Sequence, residues 1–459
     1  MKLNENIFRA YDIRGIAFED LSEEVVIHIG IELAKLTIIH GKSSVIVGRD
    51  GRNSSPQMCN FLKKGILKTG CNVIDIGIVP TPALYFATHT LETDCGIMIT
   101  GSHNPSNFNG FKIVMNNVAI SGEQIQNLKN SILQFDNSRS ENFLKGEEKN
   151  IGILQKYSSC IVENINLKRS LKIVIDCGNG AASVIAQKIF TDLGCEVISL
   201  FCELDGDFPN HHPDPSREEN MQDLISEVKR NKADIGLAFD GDGDRLGVVS
   251  PTGEIIYADR QMMLFAKDIL EKKNKRKIVY DVKCSKLLPE VIKEYDGIPV
   301  ISKTGHSFIK EKIREVSAAL GGEMSGHIFF NDRWPGFDDG IYAGARLLEI
   351  ISNSEEDQFK SIPKIFSTPE INIEVEEEDK FKIIEDFKTT ANFPDANIIY
   401  IDGVRAEFKN GWGLLRASNT SAILVLRFEA ETEKELERII DLFRKEIGKI
   451  DKKLMKFGL

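Results

Sequence analysis

Three stretches of the chain run through strand, helix, strand, helix, strand in the same order, and that repetition narrows the fold more than any other feature. In the first, the apolar strands are Ser44-Val45-Ile46-Val47-Gly48, Asn72-Val73-Ile74-Asp75-Ile76 and Gly96-Ile97-Met98-Ile99. The second has Leu171 to Ile175, Glu196 to Leu200 and Asp234 to Phe239; the third has Lys277 to Tyr280, Pro299 to Ile301 and a short Ser317 to Leu320. Strands alternating with helices build mainly parallel sheets layered with helices, so the class is α/β: three tandem related α/β domains with mixed, mainly parallel sheets. From Ile398 to Ile450 the pattern changes to two or three strands and a long amphipathic helix, Glu431 to Ile447, which reads as a C-terminal α+β domain. A chain of 459 residues is too long for one hydrophobic core, and its 42% apolar content can fill several. Boundaries are read at the polar stretch Gln134 to Asn150, at Ser250-Pro251-Thr252-Gly253, and around Ser361 to Pro369. They divide the chain into 1–147, 148–254, 255–366 and 367–459. The acidic run Glu374 to Asp379 is expected to be a solvated strand end and helix start.

Each repeat ends its third strand on a polar loop. These are Thr100-Gly101-Ser102-His103, then Asp240-Gly241-Asp242-Gly243-Asp244-Arg245, then Gly322-Glu323-Met324-Ser325-Gly326-His327. Ligands of open α/β sheets gather at the carboxyl ends of strands, so related domains can direct such loops toward one ligand. The first loop offers one hydroxyl, Ser102, beside an imidazole; an ordinary strand-to-helix turn, with Gly101 and Asn104 as turn and cap and Pro105 as first helical residue, is the plainer alternative.

In the second loop, Asp240, Asp242 and Asp244 alternate with glycines that let the backbone coil, so their oxygens can converge on a hard cation, magnesium first. A solvated acidic turn is disfavoured because carboxylates this close repel one another. A calcium loop of the EF-hand type fails, since Arg245 stands where it needs glycine and Pro251 where it needs the final glutamate. Two nucleotide motifs fail as well. Gly41-Lys42-Ser43 lacks the first P-loop glycine, Leu36 standing there, and Gly178-Asn179-Gly180 is followed by Ser183 where a dinucleotide fingerprint ends on glycine. Both read as strand-to-helix turns. The third loop presents Glu323, Ser325 and His327, a set suited to vicinal hydroxyls. Further on, Arg416-Ala417-Ser418-Asn419-Thr420-Ser421 combines a guanidinium with small polar side chains, a composition that wraps phosphate oxygens.

A formal charge of -11 disfavours nonspecific binding to nucleic acid or an anionic membrane. The start lacks a signal-peptide pattern and no apolar run approaches a membrane span, so a cytoplasmic protein is expected. The eight cysteines include no C-x-x-C pair and read as reduced core thiols.

Phe8-Arg9-Ala10-Tyr11-Asp12-Ile13-Arg14-Gly15, the Ser102 loop with Asn109-Gly110-Phe111-Lys112, the aspartate loop, Lys283, Lys303-Thr304-Gly305-His306, the Glu323 loop and Arg416 to Thr420 follow one another along the whole chain. In kind and order they resemble the motifs of the alpha-D-phosphohexomutase family, in its bacterial phosphomannomutase/phosphoglucomutase branch; Met324 looks like that branch, where the phosphoglucosamine branch typically has glutamine. The resemblance implies a heart-shaped four-domain architecture and a phosphorylated Ser102. It implies one Mg2+ per chain on Ser102, Asp240, Asp242 and Asp244, and hexose 1,6-bisphosphate as activator. The implied reaction is reversible phosphoryl transfer between O1 and O6 of a mannose or glucose phosphate. His103 or Lys112 would move the proton and Arg14 and Arg245 would assist. Tyr11, Arg14, Lys283, His306, Glu323, Ser325, His327, Arg416, Ser418, Asn419 and Thr420 would bind the sugar phosphate. Such an enzyme works as a monomer or small homo-oligomer on small hexose phosphates, without nucleic acid or membrane, and a hinge is expected near 361–369. A magnesium-dependent phosphatase and a catalytically silent phosphosugar-binding protein are the rival readings.

Overall fold

The apolar strands of the first repeat lie side by side because only a sheet satisfies their backbone groups while burying both faces. In the computed structural model, which describes residues 3–134, 145–354, 356–419 and 421–455, the chain forms two units, Met1–Gln261 with Ser325–Phe359, and Met262–Met324 with Lys360–Leu459.

The first unit holds a seven-stranded sheet ordered Ile13–Ile16, Phe108–Met115, Gly96–Ile99, Ser44–Arg49, Asn72–Ile78, Glu148–Asn150, with Val118–Ala119 pairing Phe108–Met115. Ser44–Arg49 pairs in parallel with both Asn72–Ile78 and Gly96–Ile99, whereas Phe108–Met115 runs antiparallel to Gly96–Ile99. The Ser102 turn therefore joins two antiparallel strands, and no helix begins at Pro105. A second sheet in this unit is ordered Leu246–Val249, Ile235–Phe239, Lys172–Asp176, Glu196–Leu200, the last three parallel. The segment Ser325–Phe359 adds the strand Ile328–Phe330 and the helix Gly340–Ser352, whose first turn is capped by the Asp339 carboxylate accepting from the Tyr342 N–H.

In the second unit Lys277–Asp281 pairs in parallel with Ile298–Ser302 and Leu320–Gly322. The expected strand Ser317 to Leu320 is shifted: the helix His306–Val316 runs up to it, Ser317 closes the helix in the left-handed region (φ 52°), and pairing begins at Leu320. The C-terminal part is an antiparallel six-stranded sheet ordered Phe366–Ser367, Ile423–Ala430, Gly411–Ala417, Val404–Phe408, Asn397–Ile399, with Ile371–Glu374 also on Ile423–Ala430. Four of these strands, not two or three, lie between Asn397 and the helix Glu433–Ile447, which is capped by Thr432 and packs Phe443 among Phe387, Phe393 and Phe428.

The acidic run is exposed at Glu374 and Glu376 to Asp379, between a strand end and the helix Lys380–Thr390, as expected. Gly178 to Ser183 does connect strand to helical turns, but Gly41 to Ser43 leads from the helix Glu23–Ile39 into a strand. Residues 135–144 of the polar boundary stretch lie outside the described residues. All eight cysteines are free; six are buried, and Cys160 and Cys202 are partly exposed. No helix among the described residues is long and apolar enough to cross a membrane.

The helices Glu23–Ile39 and Ser55–Leu67 cross at two glycines. A methyl group on Gly65 would stand 2.1 Å from the Ile27 carbonyl oxygen, and one on Gly30 would stand 2.4 Å from that of Leu62. Neither backbone can yield without separating the helices. Gly65→Ala is expected to destabilise the chain by about 2–3 kcal/mol, the scale of an overpacked core, read from the denaturant midpoint; an unchanged midpoint would contradict this close crossing.

Candidate active site

Ser102 sits at the carboxyl end of Gly96–Ile99 with φ 48°, a left-handed conformation that a serine holds only when its surroundings impose it. Its N–H donates to Thr100 Oγ1 at 2.8 Å, and its carbonyl accepts from Arg52 Nη2 at 2.7 Å. Arg52 is buried, lies 3.2 Å from Asp50, and also donates to the carbonyls of Asn104, Pro105 and Phe108, so one guanidinium ties down the whole loop. Ser102 Oγ is left to donate to Asp240 Oδ2 at 2.9 Å, with His103 Nδ1 at 3.3 Å.

Strand register brings the cations in. Met98 pairs with Lys112 and Gly110 with Arg14, which places both side chains at the end of the sheet that carries Ser102. Arg14 donates to Asn104 Oδ1 and Asp12 Oδ2, each at 2.5 Å. Lys112 donates to Asp242 Oδ2 at 2.7 Å and to Asp244 Oδ2.

The aspartate loop presses against the serine loop: a methyl group on Gly241 would lie 2.3 Å from the Ser102 carbonyl oxygen. Gly243 takes φ 77°, and Asp240 Oδ1 accepts the N–H groups of Asp244 and Arg245, so the loop coils as its glycines predict. Asp240, Asp242 and Asp244 are fully excluded from water, with ligand oxygens within 4.8 Å of one another. Burial, then the neighbouring carboxylates, push Asp240 up; burial and Asp242 push Asp244 up to about 7. Burial would raise Asp242 as well, but Lys112, with Thr81 donating at 2.5 Å, outweighs it and holds that carboxyl low. Lys112 is itself disfavoured as a charge by burial yet is held up by Asp242 and Asp244.

The donor set fits a divalent cation. Asp242 Oδ1 and Asp244 Oδ1 are buried and make no hydrogen bond among the described residues. A buried carboxylate oxygen without a partner costs several kcal/mol at most sites, and a cation removes that cost.

Arg245 leads away from the aspartates into a short relay. Its Nε–H donates to His327 Nε2 at 2.9 Å, and His327 Nδ1 lies 3.0 Å from Asp338 Oδ2, so the ring carries its proton on Nδ1. Asp214 and Asp240 each lie 3.8 Å from the guanidinium, and they outweigh the burial that disfavours its charge. Burial, with the added charge of Arg245, Arg14 and Lys112, depresses His103 well below the usual histidine range, so it is neutral.

The second unit contains a separate basic cluster. Arg416 Nε donates to Asp402 Oδ2 at 2.9 Å, while its Nη2 is buried and makes no hydrogen bond among the described residues. Asp402 also accepts the Thr304 N–H, Asn419 donates to the Thr304 carbonyl, and Glu323 accepts the Gly305 N–H ahead of His306. Lys283 pairs with Glu370 at 2.6 Å; burial opposes its charge, but Glu370 and Asp281 hold it up. Ser418 accepts from the Ser421 N–H, and Thr420 lies outside the described residues. Glu323 belongs to this unit, and Ser325 and His327 belong to the first.

Sequence profiles of the phosphoglucomutase/phosphomannomutase family match in chain order: alpha/beta/alpha domains I, II and III over residues 5–139, 155–253 and 257–367, and the C-terminal domain over 370–446. The chain belongs to this family. Its three related α/β domains and α+β C-terminal domain are the expected class. Among its relatives are a phosphomannomutase/phosphoglucomutase of Pseudomonas putida, 50% identical over 98% of this chain and 97% of that one, and a phosphoglucomutase of Neisseria gonorrhoeae, 47% identical over 96% of each. A crystal structure of a family protein from Burkholderia thailandensis superposes with a TM-score of 0.94 at 43% identity, covering 100% of both chains.

Arg52, Thr81, Asp214, Asp338, Glu370 and Asp402 hold the site residues in place and were not read from the sequence. None lies within a motif; Arg52 acts on a loop about fifty residues away, Thr81 on a carboxylate 161 residues away. Only the packed structure shows the pairing.

Asp338 is followed by Asp339, which accepts from Tyr157 Oη and Trp334 Nε1 in a buried aromatic cluster. Burial raises it to about 7, against those hydrogen bonds. Its folded value lies above the ~3.9 of an exposed carboxyl, so the native chain holds a proton that the unfolded chain releases. Stability from this group is full below pH ~4 and declines by up to about 1.4 kcal/mol per pH unit as pH rises toward 7. Asp339→Asn should flatten that slope in denaturant unfolding measured from pH 5 to 7; an unaltered slope would count against it. For the cation site, Asp244→Asn is expected to weaken Mg2+ binding about tenfold or more in calorimetric titration, while a surface control such as Asp192→Asn does not.

Proposed function

We propose that the chain interconverts the 1- and 6-phosphates of mannose, and of glucose, by reversible phosphoryl transfer through phosphorylated Ser102 and a hexose 1,6-bisphosphate that reorients in the site. The observation that carries this reading is Ser102 Oγ on Asp240 beside two partnerless aspartate oxygens, in a chain of this family. A bound Mg2+, held by Asp240, Asp242, Asp244 and the Ser102 oxygen, would supply charge neutralisation for the transferring phosphoryl group.

The remaining steps belong to the protein. Neutral His103, its Nδ1 facing Ser102 Oγ, takes the proton of the attacking sugar hydroxyl and passes it to Ser102 Oγ as the serine P–O bond breaks, and the same path runs backwards when Ser102 is phosphorylated again. Lys112, kept protonated by its aspartates, offsets the phosphoryl charge with Arg14 and Arg245. His327 orients Arg245 through Nε, which leaves the two terminal nitrogens for phosphoryl oxygens.

Arg416, with its unused Nη2, and Ser418, Asn419 and Thr420 hold the phosphate that is not reacting, assisted by Lys283 and His306. Glu323, Ser325 and Tyr11 address the ring hydroxyls. A second phosphate site, carried by other residues than the serine loop, is what distinguishes return of the phosphoryl group to sugar from its loss to water. Hinge motion near 361–369 accompanies reorientation. Hexose 1,6-bisphosphate primes the serine and so acts as activator.

One assay separates this function from its rivals: mannose 1-phosphate, Mg2+ and a trace of glucose 1,6-bisphosphate, with mannose 6-phosphate and free phosphate both measured. Mannose 6-phosphate without free phosphate is expected; free phosphate alone would identify a phosphatase, and no turnover a binding protein. Ser102→Ala should abolish turnover, and Arg416→Ala should cost about a hundredfold or more in kcat/KM, the scale of a lost charged contact. Glucose 1-phosphate run in competition ranks the two sugars.

A further inference from the structure

Cys177 and Cys202 stand just beyond the carboxyl ends of two neighbouring parallel strands, Lys172–Asp176 and Glu196–Leu200. The Cys177 N–H donates to the Leu200 carbonyl at 3.2 Å, which draws the two chain exits together. Their Sγ atoms lie 3.3 Å apart.

The two thiols differ in a way that matters for reactivity. Cys177 is fully buried, and Cys202 is partly exposed. The hydrogen bond between them lowers the Cys202 pKa; the same bond, together with burial, raises that of Cys177. A partly exposed sulfur that ionises more readily than its neighbour is the one a peroxide oxidises first, and a buried thiol within reach is the group that resolves the product.

Both cysteines lead into the supports of the active site. Beyond Cys177, Asn179 bonds to the carbonyls of Phe201 and Glu203, and the Ala181 N–H donates to the Gly241 carbonyl inside the aspartate loop at 2.9 Å. Beyond Cys202, Asp207 accepts from Asn53 at 2.8 Å, and the Phe208 ring lies 5.0 Å from the Arg52 guanidinium that secures the Ser102 loop. A covalent link at this point would bear on the aspartate loop from one side and on the serine loop from the other.

We propose that Cys177 and Cys202 are a redox modification site, at which a peroxide forms a reversible disulfide that slows turnover at Ser102. The Cys202 thiolate attacks the peroxide O–O bond, forming an S–O bond; with hydrogen peroxide the departing hydroxide takes up a proton and leaves as water. The Cys177 sulfur then attacks the sulfenic sulfur, the S–O bond breaks, and the hydroxide leaves with the Cys177 proton as a second water. Two thiols lose two electrons and two protons, and one hydrogen peroxide becomes two waters. A dithiol reductant reverses the step by thiol–disulfide exchange.

The site itself is independent of the mutase reading, which enters only through the activity readout. The test exposes the full-length chain to hydrogen peroxide, maps its peptides without reduction and follows turnover in parallel. A Cys177–Cys202 cross-linked peptide is expected as the main thiol product, with turnover falling about tenfold, the scale of a small misplacement of catalytic groups, and recovering with dithiothreitol. Cys202→Ser and Cys177→Ser should keep their turnover under the same exposure. Uncross-linked sulfinic acid at Cys202, a cross-link with unchanged turnover, or equal inactivation of Cys202→Ser would each overturn the proposal. Absence of turnover before any peroxide would overturn the mutase reading instead, and the cross-linked peptide alone would then decide the redox site.

Discussion

Lys112 between Asp242 and Asp244 is the interaction on which the rest of the site depends. Three carboxylates excluded from water within 4.8 Å of one another repel strongly, and the fold tolerates them because a lysine delivered by strand register stands among them. That register requires Phe108–Met115 to run back antiparallel along Gly96–Ile99, which in turn makes the Ser102 loop a tight reversal. The serine, the lysine and the aspartates are therefore one constraint expressed at three places in the chain.

The supports around this centre are charged and buried in their turn, and each is matched. Arg52 is spent on four carbonyls and Asp50, and Arg245 is shared among His327, Asp214 and Asp240; within the second unit, Lys283 is likewise set against Glu370. Among the described residues, the buried polar atoms that make no hydrogen bond include one oxygen each on Asp242 and Asp244, and one nitrogen on Arg416. Buried polar atoms are left without partners only at a cost, and at the three aspartates a bound cation would remove it.

Most of the strand order was legible because each strand is a short apolar run ended by a polar loop. Gly96–Ile99 and Glu196–Leu200 fall where the pattern puts them. Ser317 to Leu320 misled because Ala318 and Ala319 are apolar in a helix exit as much as in a strand, and the left-handed Ser317 carries no glycine to announce it. The motif residues were visible since their chemistry is local. Asp338, which sets the proton of His327, and Arg52, which ties the serine loop, were not, because an isolated aspartate or arginine is ordinary until a distant backbone arrives beside it.

The left-handed Ser102 has one more consequence. With its N–H donating to Thr100 and its carbonyl held by the buried Arg52, the Ser102 backbone is fastened on both sides of the side chain. Under the proposed function, gain or loss of a doubly charged group at Oγ would then change electrostatics more than the path of the main chain. A serine loaded and emptied in that proposed cycle would demand no repeated conformational work of its loop, and the protein's motion could be reserved for the sugar.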